Sequence, residues 1–133
     1  MLTNNVIQSK MYKNSEIMDL GQFGEDKAVK YLISNGYTVL YRNFRCRNGE
    51  IDIVARDKER DDLIVFLEVK TRKNRGFGLP CEAVTSSKMQ KMKKTISVYT
   101  NVNKYKNHDF RIDVIEILLR NGKIYIRHLK NVC

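Results

Sequence analysis

The 133-residue sequence predicts an α/β domain, a sheet covered by helices in the order αβββαββ. Three observations carry that expectation. The runs "GEIDIVAR", "LIVFLEVKTR" and "FRIDVIEILLR" read as strands that are apolar on both faces, so something must cover each face. Two other segments repeat their apolar residues at helical spacing. Asn121-Gly122, set between two strand-like runs, is the strongest short hairpin signal in the chain.

Taken in order, residues 1–18 are polar with scattered apolar positions and read as a loosely held arm or a short helix. Residues 19–133 read as one domain of ordinary size. Asp19 can cap a helix, with Gln22 in capping-box position. Leu20, Phe23, Ala28, Tyr31 and Leu32 then recur at helical spacing until Gly36 stops them. Gly24 lies within this stripe, which predicts close approach of helix and sheet backbones. "YTVLYRNF" is a strand, the two arms around "DKERDD" form a hairpin, and "KNRGFGLP" is a loop. Met89, Met92, Ile96 and Tyr99 mark an amphipathic helix beginning near Thr85. "FRIDVIEILLR" and "KIYIRHL" close the chain as a second hairpin.

Composition narrows the function classes. The net charge of +10 and pI of about 9.6 favour a polyanionic partner over a neutral one. The first residues lack a continuous apolar stretch, and no run is long enough to span a bilayer, so a cytoplasmic location is expected and no membrane partner. Cys46, Cys81 and Cys133 are odd in number and widely spaced, which makes neither a disulfide framework nor a zinc knuckle. His108 and His128 stand alone and read as ordinary surface or core residues. Met89 and Met92 read as core, and Ser86 and Ser87 have no His/Asp partner near in sequence to make a nucleophile.

The first hairpin contains an anomaly. Alternation puts Glu50, Asp52 and Val54 on one face of the first arm, with Ile51, Ile53 and Ala55 on the other. In the second arm Ile64, Phe66, Glu68 and Lys70 share a face. Pairing the arms about Arg60 sets Asp52 opposite Glu68, with Cβ atoms about 4.5–5.5 Å apart. Like charges so placed repel and call for a cation. Lys70 lies about 7 Å further along the strand, and a divalent ion bridging the two carboxylates would complete the neutralisation. Hard oxygen ligands suit Mg²⁺ or Mn²⁺. Glu25 falls on the margin of the first helix's buried face, where it can look into a cleft at the sheet edge.

"GQFGE", "NFRCRNGEIDIVARD", "VFLEVKTR", "FGLPCEAVTSSK" and "RIDVIEI" resemble, in order and spacing, the YraN-like family of uncharacterised bacterial proteins. That family is grouped with the restriction-endonuclease-like PD-(D/E)XK fold and is similar to archaeal Holliday-junction resolvases. The resemblance covers roughly residues 19–129. It implies a three-layer fold, a central mixed sheet flanked by helices. It also implies that Asp52, Glu68 and Lys70 hold the nuclease motif positions, Asp52 and Glu68 as metal ligands, and that Glu25 holds the acidic position on the first helix. Ile51 stands where the usual motif has proline, as in the resolvase-like branch.

Phosphodiester hydrolysis fits these residue types. A carboxylate-held Mg²⁺ or Mn²⁺ activates water and acts as a Lewis acid, and Lys70 can stabilise the charge developing on phosphorus. Three basic tracts would track a DNA backbone: Arg42, Arg45 and Arg47 interleaved with Tyr41 and Phe44; Arg72, Lys73 and Arg75; and Lys88, Lys91, Lys93 and Lys94 on the second helix. Lys88 also matches a family position at the helix start. Asp113 reads as a structural partner of Arg111 or a sheet neighbour. The expected activity is that of a metal-dependent DNA endonuclease-like protein acting on branched or processing-intermediate DNA. A DNA-binding module without turnover, or a structural partner in DNA repair or uptake, are the rivals, and homodimerisation is left open.

Overall fold

The computed structural model describes residues 4–9, 19–74, 76–105 and 107–132. In chain order these form β1 (Asn4–Ser9), α1 (Leu20–Ser34), β2 (Tyr37–Cys46), β3 (Gly49–Asp57), β4 (Leu63–Lys73), a one-turn 3₁₀ helix (Pro80–Glu82), α2 (Ser86–Val102), β5 (Asp109–Arg120) and β6 (Lys123–Leu129). One six-stranded sheet runs in the order β1-β6-β5-β4-β3-β2. Among the described strands only β4 and β5 are parallel, joined by the crossover through α2, so the sheet is mixed. From α1 onward the order is αβββαββ, as the sequence and the family resemblance imply.

The two helices cover opposite faces. Ala28, Tyr31 and Leu32 of α1 pack on Ile53, Val65, Leu67, Ile115 and Ile117. Met92, Ile96 and Tyr99 of α2 pack on Val54, Ile64, Phe66 and Ile112. That is why β3, β4 and β5 must be apolar on both sides. The local signals act as read. The Asp19 carboxylate accepts from Gln22 N–H at 3.2 Å, and the Thr85 hydroxyl accepts from Lys88 N–H at 3.2 Å, so each helix begins on a side-chain cap. Asn121 and Gly122 take φ values of 53° and 73°, the double left-handed pair of a type I′ hairpin. The first hairpin pairs about Arg60 as expected, from Ile53↔Leu67 to Arg56↔Ile64. Among the described residues, no helix is long and apolar enough to cross a membrane.

Two expectations need correction. Gln22 does not close a capping box; its amide reaches forward to Asp26 Oδ1 at 2.9 Å, one helical turn on. At Asn4–Ser9 the N-terminal arm is a strand, neither a loose segment nor a helix. Asn4–Ser9 form a strand antiparallel to β6, from Asn4↔Leu129 to Ser9↔Ile124. Without it, β6 would present a row of unpaired N–H and C=O groups, and covering that edge is the physical gain. Residues 1–3 and 10–18 of the arm lie outside the described residues.

Gly24 fixes how deeply α1 sits on the sheet. A Cβ there would lie 1.7 Å from Thr71 Oγ1 and 3.0 Å from Thr71 Cβ, so no side chain fits without a shift. Gly24→Ala is expected to destabilise the protein by about 1–3 kcal/mol, the usual cost of overpacking, with Thr71→Ala restoring part of the loss in a double-mutant cycle read by denaturant unfolding. Equal stability of Gly24→Ala and wild type would contradict this packing.

Candidate active site

The site lies where β3 and β4 part. Their ladder ends at Ile53↔Leu67. Asp52 and Glu68, which symmetry about Arg60 would pair next, lie just past the ladder's end, and their carboxylates interact there. There Val69 N–H donates to the Asp52 carboxylate, Oδ2, at 2.7 Å. A side chain thus occupies the place of a ladder carbonyl.

The neighbouring strand breaks at the same level. The β2–β3 register passes from Arg42↔Ile53 to Phe44↔Ile51, and Asn43 between them has φ 56°, a left-handed conformation that Asn tolerates better than most residues. As a result, alternation fails across Asp52. Ile53 and Ala55 pack on the α1 side, but Ile51 packs on the α2 side with Val54 and Phe44. The expectation that Ile51, Ile53 and Ala55 share a face is corrected here; the interrupted pleat at Asn43 and Asp52 is the cause.

This break opens a cavity of about 280 Å³ whose lining includes Asp19, Glu25, Asn43, Arg45, Asp52 and Val69. Glu25, 7% exposed, does look into a cleft shared with Asp52. It arrives already neutralised. Arg42 Nε donates to its Oε1 at 2.7 Å and Asn43 Nδ2 at 3.0 Å, while Arg42 Nη2 also reaches Asp26 at 2.7 Å. A larger cleft, about 620 Å³, lies at the opposite end of β3 and β4. Its cations are spent on internal pairs, Arg60 with Asp62 and Asp109, and Arg111 with Asp113. The smaller cavity is where unsatisfied charge resides.

Asp52 carries that charge. Burial pushes its carboxyl up, the Val69 hydrogen bond pulls it part of the way back, and the Glu68 carboxylate, close enough to share a proton, pushes it up again, to about 6 in all. Lys88 Nζ comes across from α2 to 3.5 Å from Glu68 Oε2. Half-buried Lys70 has no ion pair or hydrogen bond among the described residues. It stands in register with Glu116, whose buried carboxylate is held by Arg127 Nε at 2.7 Å. Among the described residues no group of three or more His, Cys, Asp or Glu side chains is placed to hold a metal. The Asp52–Glu68 pair itself is hard, oxygen-only and short of positive charge, which fits Mg²⁺ or Mn²⁺ and does not fit a soft or imidazole-seeking metal.

The basic residues divide by what they touch. Arg42 is tied inward to Glu25 and Asp26. Arg45 is exposed and 3.2 Å from Glu50. Arg47 sits in the exposed β2–β3 turn, and Arg72 and Lys73 end β4, Lys73 exposed. Arg75 lies outside the described residues. The β2–β3 turn packs on the lysine-bearing helix: a Cβ on Gly49 would lie 3.9 Å from Lys91 Cβ and 3.2 Å from Thr95 Oγ1. Asp113 is structural, as read. Burial pushes its carboxyl up, but His128 at 2.8 Å and Arg111 outweigh that and hold it below the usual range. Sequence reasoning did not find Asn43, Glu116 or Arg127. Asn within a strand, a residue type strands disfavour, was the available signal for the first; nothing local marked the other two.

The raised Asp52 carboxyl gives a signed pH dependence. An unfolded chain releases this proton near the ordinary 3.8, the folded chain near 6, so Asp52 lowers stability progressively as pH rises between those values. Asp52→Asn, which can still accept from Val69, should therefore raise the metal-free melting temperature at pH 7.5, by the equivalent of about 1–2 kcal/mol after allowance for partial exposure. The gain should vanish near pH 4. A loss of stability at every pH would make Asp52 a structural partner instead.

The model of the uncharacterised protein family UPF0102 matches residues 24–117. Curated relatives carry the same designation. One from Caldicellulosiruptor saccharolyticus is 42% identical over 85% of this chain and 95% of its own length. One from Clostridium botulinum strain Hall is 46% identical over 85% and 92%, and one from Clostridium novyi 44% over 75% and 81%. Among solved structures, a repair endonuclease from Pyrococcus abyssi is similar with TM-score 0.44 and 20% identity, over 84% of this chain. This chain spans only 42% of that one. On the family match and these relatives, the chain belongs to the uncharacterised protein family UPF0102.

Proposed function

We propose that this protein is a metal-dependent DNA endonuclease-like phosphodiester hydrolase, acting on branched or processing-intermediate DNA. The observation that carries the reading is the interaction of the Asp52 and Glu68 carboxylates at the end of the β3–β4 ladder, with Lys70, unpaired among the described residues, two residues beyond Glu68. Asp52 and Glu68 would hold Mg²⁺ or Mn²⁺, which when bound lowers the pKa of a water and polarises a phosphoryl oxygen. The chain's own groups do the remainder. Val69 N–H fixes the Asp52 carboxylate, so the ligand is oriented before anything binds. The Lys70 ammonium, without a counter-ion among the described residues, can stabilise charge developing on phosphorus. Arg45, Arg47, Arg72 and Lys73, with the α2 lysines, can hold backbone phosphates without reading sequence.

One observation favours the second reading, a DNA-binding module without turnover. Glu25 is committed to Arg42 and Asn43, leaving two carboxylates at the centre rather than three.

Incubation with Mg²⁺ or Mn²⁺ and single-stranded, duplex, flapped and four-way DNA separates the two. Cleavage of at least one member is expected, abolished by EDTA and slowed about 10²–10³-fold in Lys70→Ala, the size of losing one preorganised stabiliser. Binding with no cleavage of any member would favour the module. Cleavage unaffected by Lys70→Ala would leave Lys70 without a role in the reaction.

A further inference from the structure

Arginines close to the cavity spend their charge on carboxylates that flank the pair. Arg42 holds Glu25 and Asp26, and Arg45 holds Glu50. Among the described residues Lys88 differs: its ion-pair partner is Glu68, one of the two facing carboxylates, at 3.5 Å. Lys88 lies on the first turn of α2, with its backbone N–H pinned by the Thr85 cap. Its side chain is 37% exposed and that of Glu68 13%, so the ammonium is the more solvated of the two.

Resting on the metal-site reading above, we propose that Lys88 is a built-in counter-ion for the metal-free site, displaced when a divalent cation binds Asp52 and Glu68. The physics is competition for one oxygen. A divalent ion and an ammonium at the same carboxylate repel each other strongly in a half-buried setting. Lys is a compact charge on a flexible four-carbon stem, so it can leave without moving the helix. Its pinned Cα keeps the freed ammonium beside the site, where a DNA phosphate is the available anion. Lys88 thereby becomes a positioning residue that engages phosphate only after the cation has arrived. Metal and DNA then favour each other's binding, as reciprocal coupling requires.

Calorimetric titration of the full chain with Mn²⁺, without DNA, tests this. Lys88→Met should bind Mn²⁺ about three- to tenfold more tightly than wild type, the scale of removing one partly exposed competing charge. Lys93→Met, which removes an exposed charge from the same helix, should match wild type. Equal affinity in all three proteins would overturn the role of Lys88 while leaving the metal site standing. Equal tightening in Lys88→Met and Lys93→Met would reduce the effect to net charge and also overturn it. If wild type and Lys88→Met both fail to bind Mn²⁺, the metal-site reading itself fails.

Discussion

Two carboxylates face each other across a strand gap, and much of the local architecture answers that repulsion. An ionised pair at cross-strand distance is unfavourable, and burial makes it worse. The protein does not relieve this by separating the strands into solvent. Asp52 accepts Val69 N–H, one proton is held more tightly than usual, and Lys88 leans over Glu68. Each device is partial. What remains is a concentrated demand for positive charge at one point of the sheet, and the proposed cation site rests on it.

The buried carboxylates around the pair are, by contrast, closed. Arg42 joins α1 to β2 through Glu25 and Asp26. Arg111, His128 and Asn131 N–H surround Asp113, and His128 also meets the Tyr31 hydroxyl at 3.1 Å. Arg127 binds Glu116, donates to Gly78 O at 2.6 Å and lies over the Phe77 ring at 4.7 Å, which ties the loop after β4 to β6. Buried pairs of this kind contribute more to fixing one arrangement than to net stability. Here they hold α1, β2 and the β4 loop around the fork, so the carboxylate pair stands in a frame whose buried carboxylates, Glu25, Asp113 and Glu116, each have a cation partner.

Much of this was legible in the sequence, and the reasons are local. Helix caps at Asp19 and Thr85, the Asn121-Gly122 turn and the pairing of a hairpin about its own centre depend on residues near one another in the chain. Gly24 was readable as a point of close approach because a glycine in an apolar helix stripe is otherwise unexplained, although what approaches is the Thr71 side chain and not the sheet backbone. Asp52, Glu68 and Lys70 stood out because charge in a buried strand is costly. The misreadings share the opposite cause. Strict alternation placed Ile51 with Ile53, and a left-handed Asn43 on another strand undid it. Arg42 read as a phosphate ligand and is spent on α1, a contact 17 residues distant. The strand at Asn4–Ser9 exists through its pairing with β6, at the far end of the chain. Spacing on one element does not encode partners on another.

The central claim is that Asp52 and Glu68 together form a hard-cation site. Anomalous diffraction from crystals grown with Mn²⁺ measures it most directly. The account predicts a peak within about 2.5 Å of oxygens from both carboxylates, with the Lys88 ammonium moved off Glu68. A crystal with full Mn²⁺ exposure and no peak at this pair, or a peak held by other residues such as those around Asp57 and Asp109, would contradict it.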